Sequence, residues 1–284
     1  MSRAAQTTSD APPPRKGPSD IGVGSALITL VEPLPGNERG HNRWYEDDHF
    51  FAGAMHLPWL FSGRRWVATR DLQLLRGPDP SPIADPVTAG CYLGTYWIAP
   101  GRLDELKRWA GEANDRLVRE GRIDSGRTHV FTSFQEAAGT VYRDDEVPRD
   151  VFTLVDPAPG LVLEAVDAPT AETRGELERW LLEEHLPAVT REPGSPVASA
   201  MVFRTEGPYP EMSAEVREML GKVGAGGRRL TVLWFLTADP RDVWDTVFAG
   251  EQSRVETAGR GRVSLLAPFI PSRMGTNAYD DQLR

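Results

Sequence analysis

Tyr45 and His49 stand four residues apart in "RWYEDDHF" (43–50), among Glu46, Asp47 and Asp48. On a helix that spacing puts a phenol and an imidazole on one face. Turned toward an apolar pocket, the pair could move a proton at neutral pH. The imidazole would act as general base or acid, and the phenol would polarise a developing oxyanion. Asp48 or Glu46 could orient the imidazole from the side. The competing reading makes His49 structural, bonded to a backbone carbonyl where the helix meets a sheet.

A second stretch, "RWLLEEHL" (179–186), repeats the Arg-Trp, the acidic pair and the histidine, with Leu181 where the first has Tyr45. Trp44 and Trp180 are 136 residues apart, and so are His49 and His185. At nearly the same offset, "ALITLVEP" (26–33) recurs as "LVLEAVDAP", "GRRWVAT" (63–69) as "SAMVFRT", "YLGTYWIAP" (92–100) as "LTVLWFLTADP", and "HVFTSF" (129–134) as "SLLAPFI". Blocks in one order at one spacing indicate a duplicated unit. The histidine of the second copy has lost its polar i−4 neighbour, so the second pocket is expected to be degenerate.

The elements that must position these residues follow from periodicity. Each copy opens on an apolar, β-branched strand and continues through the Trp/His block as a helix. Two strands follow, near 63–69 and 91–99 or 199–205 and 229–237. A longer helix is expected after Pro100 or Pro240, and a strand at 128–134 or 262–268 closes the unit. In the first copy Leu103, Leu106, Trp109, Ala110, Ala113, Leu117 and Val118 make one apolar face of that longer helix. The order β-α-β-β-α-β predicts an α+β fold of two tandem ferredoxin-like units. The expected division is a disordered tail over 1–22, a first unit over 23–150, a second over 151–272, and a C-terminal tail over 273–284. The second copy's loop, 206–228, has room for an extra short helix.

A ferredoxin-like unit carrying Trp-Tyr-x-x-x-His on its first helix resembles the dimeric α+β barrel superfamily, and more narrowly its EthD-type and polyketide-cyclase-type members. The resemblance extends over most of 24–270 as two copies. It implies two antiparallel sheets paired into one barrel as an intramolecular pseudo-dimer, with further association into a homodimer left open. It also implies a pocket between sheet and helices in each unit, where a small-molecule substrate would sit. The superfamily hosts cyclases, isomerases, cofactor-independent monooxygenases, haem enzymes and binding proteins, so the fold names no reaction.

Other polar residues extend the candidate set. Strand alternation sends Arg64 and Arg65 to opposite faces. At most one enters a pocket, where it would hold a carboxylate or enolate oxygen; Arg65 is the choice. In "YLGTYW", Tyr92, Gly94 and Tyr96 share one face and Leu93, Thr95 and Trp97 the other. His129 starts a strand and could reach the pocket mouth. His56 reads as a loop residue and His41 as exposed.

Composition excludes several classes. The 284-residue chain carries a net charge of −9 with pI near 5.2 and no Lys/Arg cluster, which argues against nucleic acid and anionic membranes. One cysteine, Cys91, excludes an intrachain disulfide framework. No apolar run approaches a membrane span, the N-terminus lacks a hydrophobic signal core, and a cytoplasmic location is expected. There is no H-E-x-x-H and no histidine pair at i,i+4 for a metal, and no P-loop. "GKVGAGG" runs into a strand rather than a helix, so no nucleotide cofactor is implied.

These readings lead to an expected function. It is a cofactor-independent enzyme moving a proton next to a carbonyl, a cyclase, isomerase or lyase, on a small aromatic or polyketide-like substrate. His49, Tyr45 and Asp48 are the expected catalytic residues, with Arg65, Trp44, Tyr96 and His129 touching substrate. Two alternatives stand beside it: a cofactor-free monooxygenase on the same scaffold, and a non-catalytic ligand-binding or stress-related barrel.

Overall fold

A computed structural model describes residues 22–57, 59–156, 158–207 and 223–284. Most of the stretch expected as a disordered N-terminal tail, and most of the 206–228 loop with its expected helix, lie outside the described residues.

Eight strands close into one barrel: β1 (Ser25–Pro33), β2 (Leu60–Val67), β3 (Tyr92–Ile98), β4 (Arg127–Tyr142), β5 (Gly160–Asp167), β6 (Val197–Thr205), β7 (Arg229–Leu236) and β8 (Arg262–Pro271). Their order around the barrel is β1-β3-β2-β8-β5-β7-β6-β4, and every pairing is antiparallel. Each half is the four-stranded sheet of a ferredoxin-like unit, and the two halves stand where two subunits of a dimer would. The expected fold class is the observed one.

The halves meet at two unequal seams. β4 is 16 residues long because its first part pairs with β1 while its last part, from Gln135 to Tyr142, pairs with β6. The opposite seam, β2 on β8, consists of Trp66 with Pro271 and Val67 with Ile270. Past β8 the chain folds back over the first unit beside this short seam. Ser272 N–H donates to Arg65 O, and Tyr92 Oη donates to Asp280 at 2.8 Å. Gln73 Nε2 donates to Leu283 O at 3.0 Å, and Arg284 pairs with Glu32 and Glu38.

Period-two alternation decides what lies inside. Ala26, Ile28 and Leu30 of β1 point into the barrel with Trp66, Trp97, Phe131, Leu163, Met201, Phe203, Phe235 and Phe269. Trp97 stacks on Phe203 at 5.5 Å between ring centres and meets Phe235 edge-on at 6.4 Å. Such aromatic contacts add to the burial itself, and the barrel interior is a packed core.

The helices cover the outside of each sheet. In the first unit α1 (Glu38–Trp44) continues as π-helical turns at Tyr45–His49 and Phe51–Met55 rather than as a plain α-helix. After the short α2 (Arg70–Gln73), α3 (Leu103–Arg119) buries Leu106, Ala113 and Leu117, whereas Val118 turns outward. In the second unit α4 (Arg174–Trp180) also runs into a π-helical turn, Leu181–His185, before α5 (Leu186–Thr190). α6 (Pro240–Val243), a π-helical turn at Trp244–Phe248 and α7 (Glu251–Thr257) complete it. Among the described residues no helix is long and apolar enough to cross a membrane.

Truncating an interior aromatic should therefore weaken the whole barrel at once. Phe203→Ala, at a fully buried position, is expected to cost about 3–5 kcal/mol in urea unfolding, with near-UV and far-UV signals lost together. A loss under about 1 kcal/mol would show that the interior is loosely packed.

Candidate active site

The alternation that sends Ala26, Ile28 and Leu30 inward turns Leu27, Thr29 and Val31 outward, under the helices. Together with Tyr45, His49, Gly53, Ala54, Tyr96, Arg127, His129 and Thr132, these line a cavity of about 120 Å³ between the first sheet and its helix. Of the residues expected at the site, His49, Tyr45, Tyr96 and His129 meet here.

Tyr45 and Tyr96 share a short hydrogen bond between their hydroxyls. Gly94 makes this possible, since a Cβ there would lie 2.9 Å from the Tyr45 hydroxyl. Burial pushes both phenols above their ordinary pKa, and for Tyr96 the neighbouring phenol adds to it. Both therefore stay protonated at neutral pH, one donating to the other and leaving one hydroxyl proton free.

His49 lies in a slot. Its ring stacks on Trp44 at 4.4 Å and meets Tyr45 edge-on at 5.6 Å. A Cβ on Gly53 would press on it at 3.0–3.2 Å, so glycine is what leaves space for the ring. The π-helical turn from Tyr45 to His49, where the Phe50 N–H reaches back to Tyr45 O, keeps both side chains on the sheet side. Its Nδ1 is buried without a hydrogen-bond partner. Burial, reinforced by the Arg127 cation, lowers its pKa to about 4, so the imidazole is neutral at pH 7.

Asp48 does not orient His49. Its carboxylate forms an ion pair with Arg122, from the loop after α3, and this long-range partner could not be read from local spacing. Nor does Arg65 line the cavity. Fully buried beneath α1, it donates to Asn42 at 2.5 Å and Glu46 at 2.9 Å, with its guanidinium over the rings of Tyr45 (4.5 Å) and Tyr92 (4.3 Å). It braces Tyr45 from outside the cavity. Trp44 likewise stands behind the lining, donating its Nε1 to Arg122 O at 2.7 Å.

His41, expected to be exposed, is completely buried. Its Nδ1 lies 2.9 Å from Asp124, and burial lowers its pKa to about 4. The partner is again 83 residues away. His56 ends the second π-helical turn, with Nδ1 on Phe51 O and its ring against Trp109.

Sequence reasoning missed Arg127, Thr29 and Thr132. Arg127 lies over Trp44 at 4.5 Å and donates to the backbone O of Asp124. Its signal was available, because an i−2 neighbour of His129 on a strand shares its face. Thr132 was hidden by a bulge at Val130 that shifts the register between Leu30/Phe131 and Val31/His129. The bulge reverses the alternation, so Arg127 and His129 share the helix side with Thr132 instead of pointing into the barrel with Phe131. His129 Nδ1 meets Thr132 Oγ1 at 2.8 Å, and Thr132 meets Thr29 at the same distance.

In the second unit the equivalent space is filled. Trp180 stacks on His185 at 4.6 Å, as Trp44 does on His49, but His185 Nε2 is held by Glu251 at 2.6 Å. Trp234 stands where Tyr96 does and donates to the buried Glu164 at 2.8 Å. Burial and Glu251 raise the Glu164 pKa well above the carboxylate range. Burial also acts to raise Glu251, but His185 and Arg254 more than reverse it. A groove of about 430 Å³ opens outside this network, lined by His185, Val189, Glu192 and Arg254 among others.

No family model and no curated protein matches this sequence. Solved structures do match its fold. An anthrone oxidase-like protein, 12% identical, aligns over 88% of this chain and 92% of its own with a TM-score of 0.50. A variant of DypB from Rhodococcus jostii RHA1 in complex with haem, also 12% identical, aligns over 92% and 95% with a TM-score of 0.50. The fold is that of the α+β barrel proteins. A dye-decolorizing peroxidase from Bacteroides thetaiotaomicron VPI-5482, 9% identical, aligns over 93% and 96% with a TM-score of 0.49.

These neighbours correct the expected proton-transfer cyclase, isomerase or lyase. The solved structures that share the barrel across nearly the whole chain include an oxidase-like protein and a haem-bound one. Asp48, the carboxylate expected to orient the imidazole, is paired with Arg122 instead.

The buried imidazoles make stability depend on pH in a defined direction. Between about 6.5, the unfolded value, and about 4, the folded one, the unfolded chain binds more protons than the native state. Each histidine therefore contributes stability that is complete above pH ~6.5 and lost as pH falls through about 4. From about pH 7 to about pH 5 in urea titrations, His41→Gln should lose less stability than the wild type by about 1–2 kcal/mol. An unchanged pH dependence would show that His41 is protonated in the fold.

Proposed function

We propose that this chain is an oxidative enzyme that works without a bound cofactor, and that the first-unit cavity is its active site. What carries the reading is the cavity's content: two buried phenol donors, Tyr45 and Tyr96, facing a neutral imidazole, His49, whose Nδ1 has no protein partner. The fold likeness to an oxidase-like protein supports the oxidative class. Of the narrower EthD-type likeness, the reading keeps the Trp44-Tyr45…His49 pattern.

Haem, which the Rhodococcus protein carries, does not fit the first-unit cavity. Haem iron needs an axial ligand such as histidine in a pocket that takes the macrocycle. All five histidines are described, and each is otherwise engaged or enclosed. His49 and His129 share a cavity of about 120 Å³. His41 is sealed in the core, and His56 and His185, each with one ring nitrogen on protein, lie outside this cavity.

Cavity size limits the substrate. A cavity of ~150 Å³ holds one benzene ring, so about 120 Å³ suits one ring rather than a polycyclic polyketide. The chemistry then follows from an electron-rich ring that supplies its own electrons, such as a hydroquinone. Neutral His49 accepts a phenolic proton, and the phenol of the Tyr45–Tyr96 pair that is not donating to the other donates to the oxygen that gains charge. One oxygen atom of dioxygen then forms a new bond to a ring carbon, and the other leaves as water with two hydrogens of the substrate. The ring gives up all the electrons that dioxygen takes. One hydroquinone and one dioxygen thus become one hydroxyquinone and one water.

Oxygen-electrode assays with a hydroquinone panel and excess chelator test this. The wild type should consume one dioxygen per substrate. Tyr45→Phe and His49→Gln should each lower kcat by about 10²-fold, while His56→Gln leaves it unchanged. Absence of uptake with every hydroquinone, or full activity in both site variants, would overturn the proposal. Binding without uptake would favour a ligand-binding barrel.

A further inference from the structure

We infer that the molecule taken by the first-unit cavity is anionic, a single ring bearing a carboxylate, and that Arg127 is the residue that selects it. The inference rests on the reading of this cavity as the active site and deepens it by naming the charge of the substrate.

The argument is an inventory of charge. No carboxylate lines the cavity. Tyr45 and Tyr96 are neutral phenols, and His49 is a neutral imidazole. His129, at the rim, offers its Nδ1 to Thr132. Arg127 is the one lining group that stays charged at every working pH. Among the described residues it makes no side-chain ion pair with a carboxylate. Asp124, which lies close enough to act on it electrostatically, has its carboxylate turned onto His41, Asn37 and the Gly126 N–H. Among the described residues the guanidinium is bound to protein through the Asp124 backbone O and the face of Trp44.

A cation half-removed from water, with its nearest carboxylate, Asp124, turned to other partners, gains from a ligand that brings a negative charge into direct contact. A planar guanidinium with free N–H groups matches a carboxylate by two parallel hydrogen bonds, which an ammonium does not reproduce. The position of Arg127 fits this role, since it enters the cavity from β4 and shares its lining with His49, Tyr45 and Tyr96. A ring anchored by its carboxylate at Arg127 would lie among these groups.

Binding measured without dioxygen separates this inference from turnover. Quenching of tryptophan fluorescence by benzoate and by neutral benzamide, under argon, should show benzoate bound at least about tenfold tighter in the wild type. Arg127→Gln should remove that preference, lowering benzoate affinity about tenfold or more and benzamide affinity by less than about threefold. Arg127→Lys should restore part of it, which guards against a glutamine variant that fails to fold. 4-Nitrophenol, measured above its pKa as the phenolate, tells whether the site takes any anionic oxygen or prefers the two-oxygen carboxylate. Equal affinities for benzoate and benzamide in the wild type, no binding of benzoate, or equal losses for both ligands in Arg127→Lys would overturn the inference. Hydroquinone turnover could still be found with either result, and anion binding could be found without turnover.

Discussion

Two sheets that face each other must hide their inner surfaces from water, and this chain does so by closing both into one barrel and filling it with aromatic side chains. Trp66, Trp97, Phe131, Phe203, Phe235 and Phe269 occupy the space in which a larger barrel would hold a ligand. Polar chemistry is thereby displaced to the outer faces, beneath the helices. The two units meet that condition differently. In the second, Leu181 and Trp234 fill the space, and the histidine is consumed by Glu251. In the first, Tyr45 and Tyr96 leave an opening beside an unpartnered imidazole.

The stacking of Trp44 on His49 and of Trp180 on His185 recurs at 4.4 and 4.6 Å, in π-helical turns at corresponding places. What recurs in both units belongs to the architecture. The tryptophan fixes the ring plane of the histidine, and the widened turn sets the ring against the sheet. Chemistry can then be gained or lost by changing the neighbours alone. Tyr45 against Leu181 is the first such change, and the carboxylate of Glu251 facing His185 is the second. An orphaned nitrogen in an enclosed space carries a desolvation cost, which the second unit meets with Glu251 at His185 and the first leaves unmet at His49 Nδ1.

The architecture was legible in the sequence because duplication and alternation are local patterns repeated many times. The split of Tyr92, Gly94 and Tyr96 from Leu93, Thr95 and Trp97 is the observed one: Leu93 and Trp97 face the barrel interior, whereas Tyr96 packs under the helices. The site was legible only in part. Tyr45, His49, Tyr96 and His129 could be named because each belongs to a local pattern. Asp48, Arg65 and His41 could not be placed, because each is decided by a partner distant in the chain: Arg122, Glu46 with Tyr92, and Asp124. Arg127 and Thr132 share a face only through the bulge at Val130, and one inserted residue defeats any period-two reading beyond it.

Arg65 shows how the segment beyond β8 reaches the first site without touching it. Its guanidinium braces the Tyr45 ring and is tied to Glu46, whose other carboxylate oxygen accepts from the Gly275 N–H at 2.7 Å. Thr276 O receives hydrogen bonds from Asn42 and Arg43 of α1. The residues beyond β8 thus grip the helix that carries Tyr45 and His49, next to the seam where the barrel is held by two residue pairs. A short seam alone would let the helix and its sheet shift with little resistance. With the C-terminal segment fastened across it, movement of α1 would break a buried ion pair and several backbone hydrogen bonds together, losses that a domain of ordinary stability does not absorb. The geometry of the phenol–imidazole cavity therefore depends on residues at the far end of the chain, and duplication within one polypeptide is what brings them there.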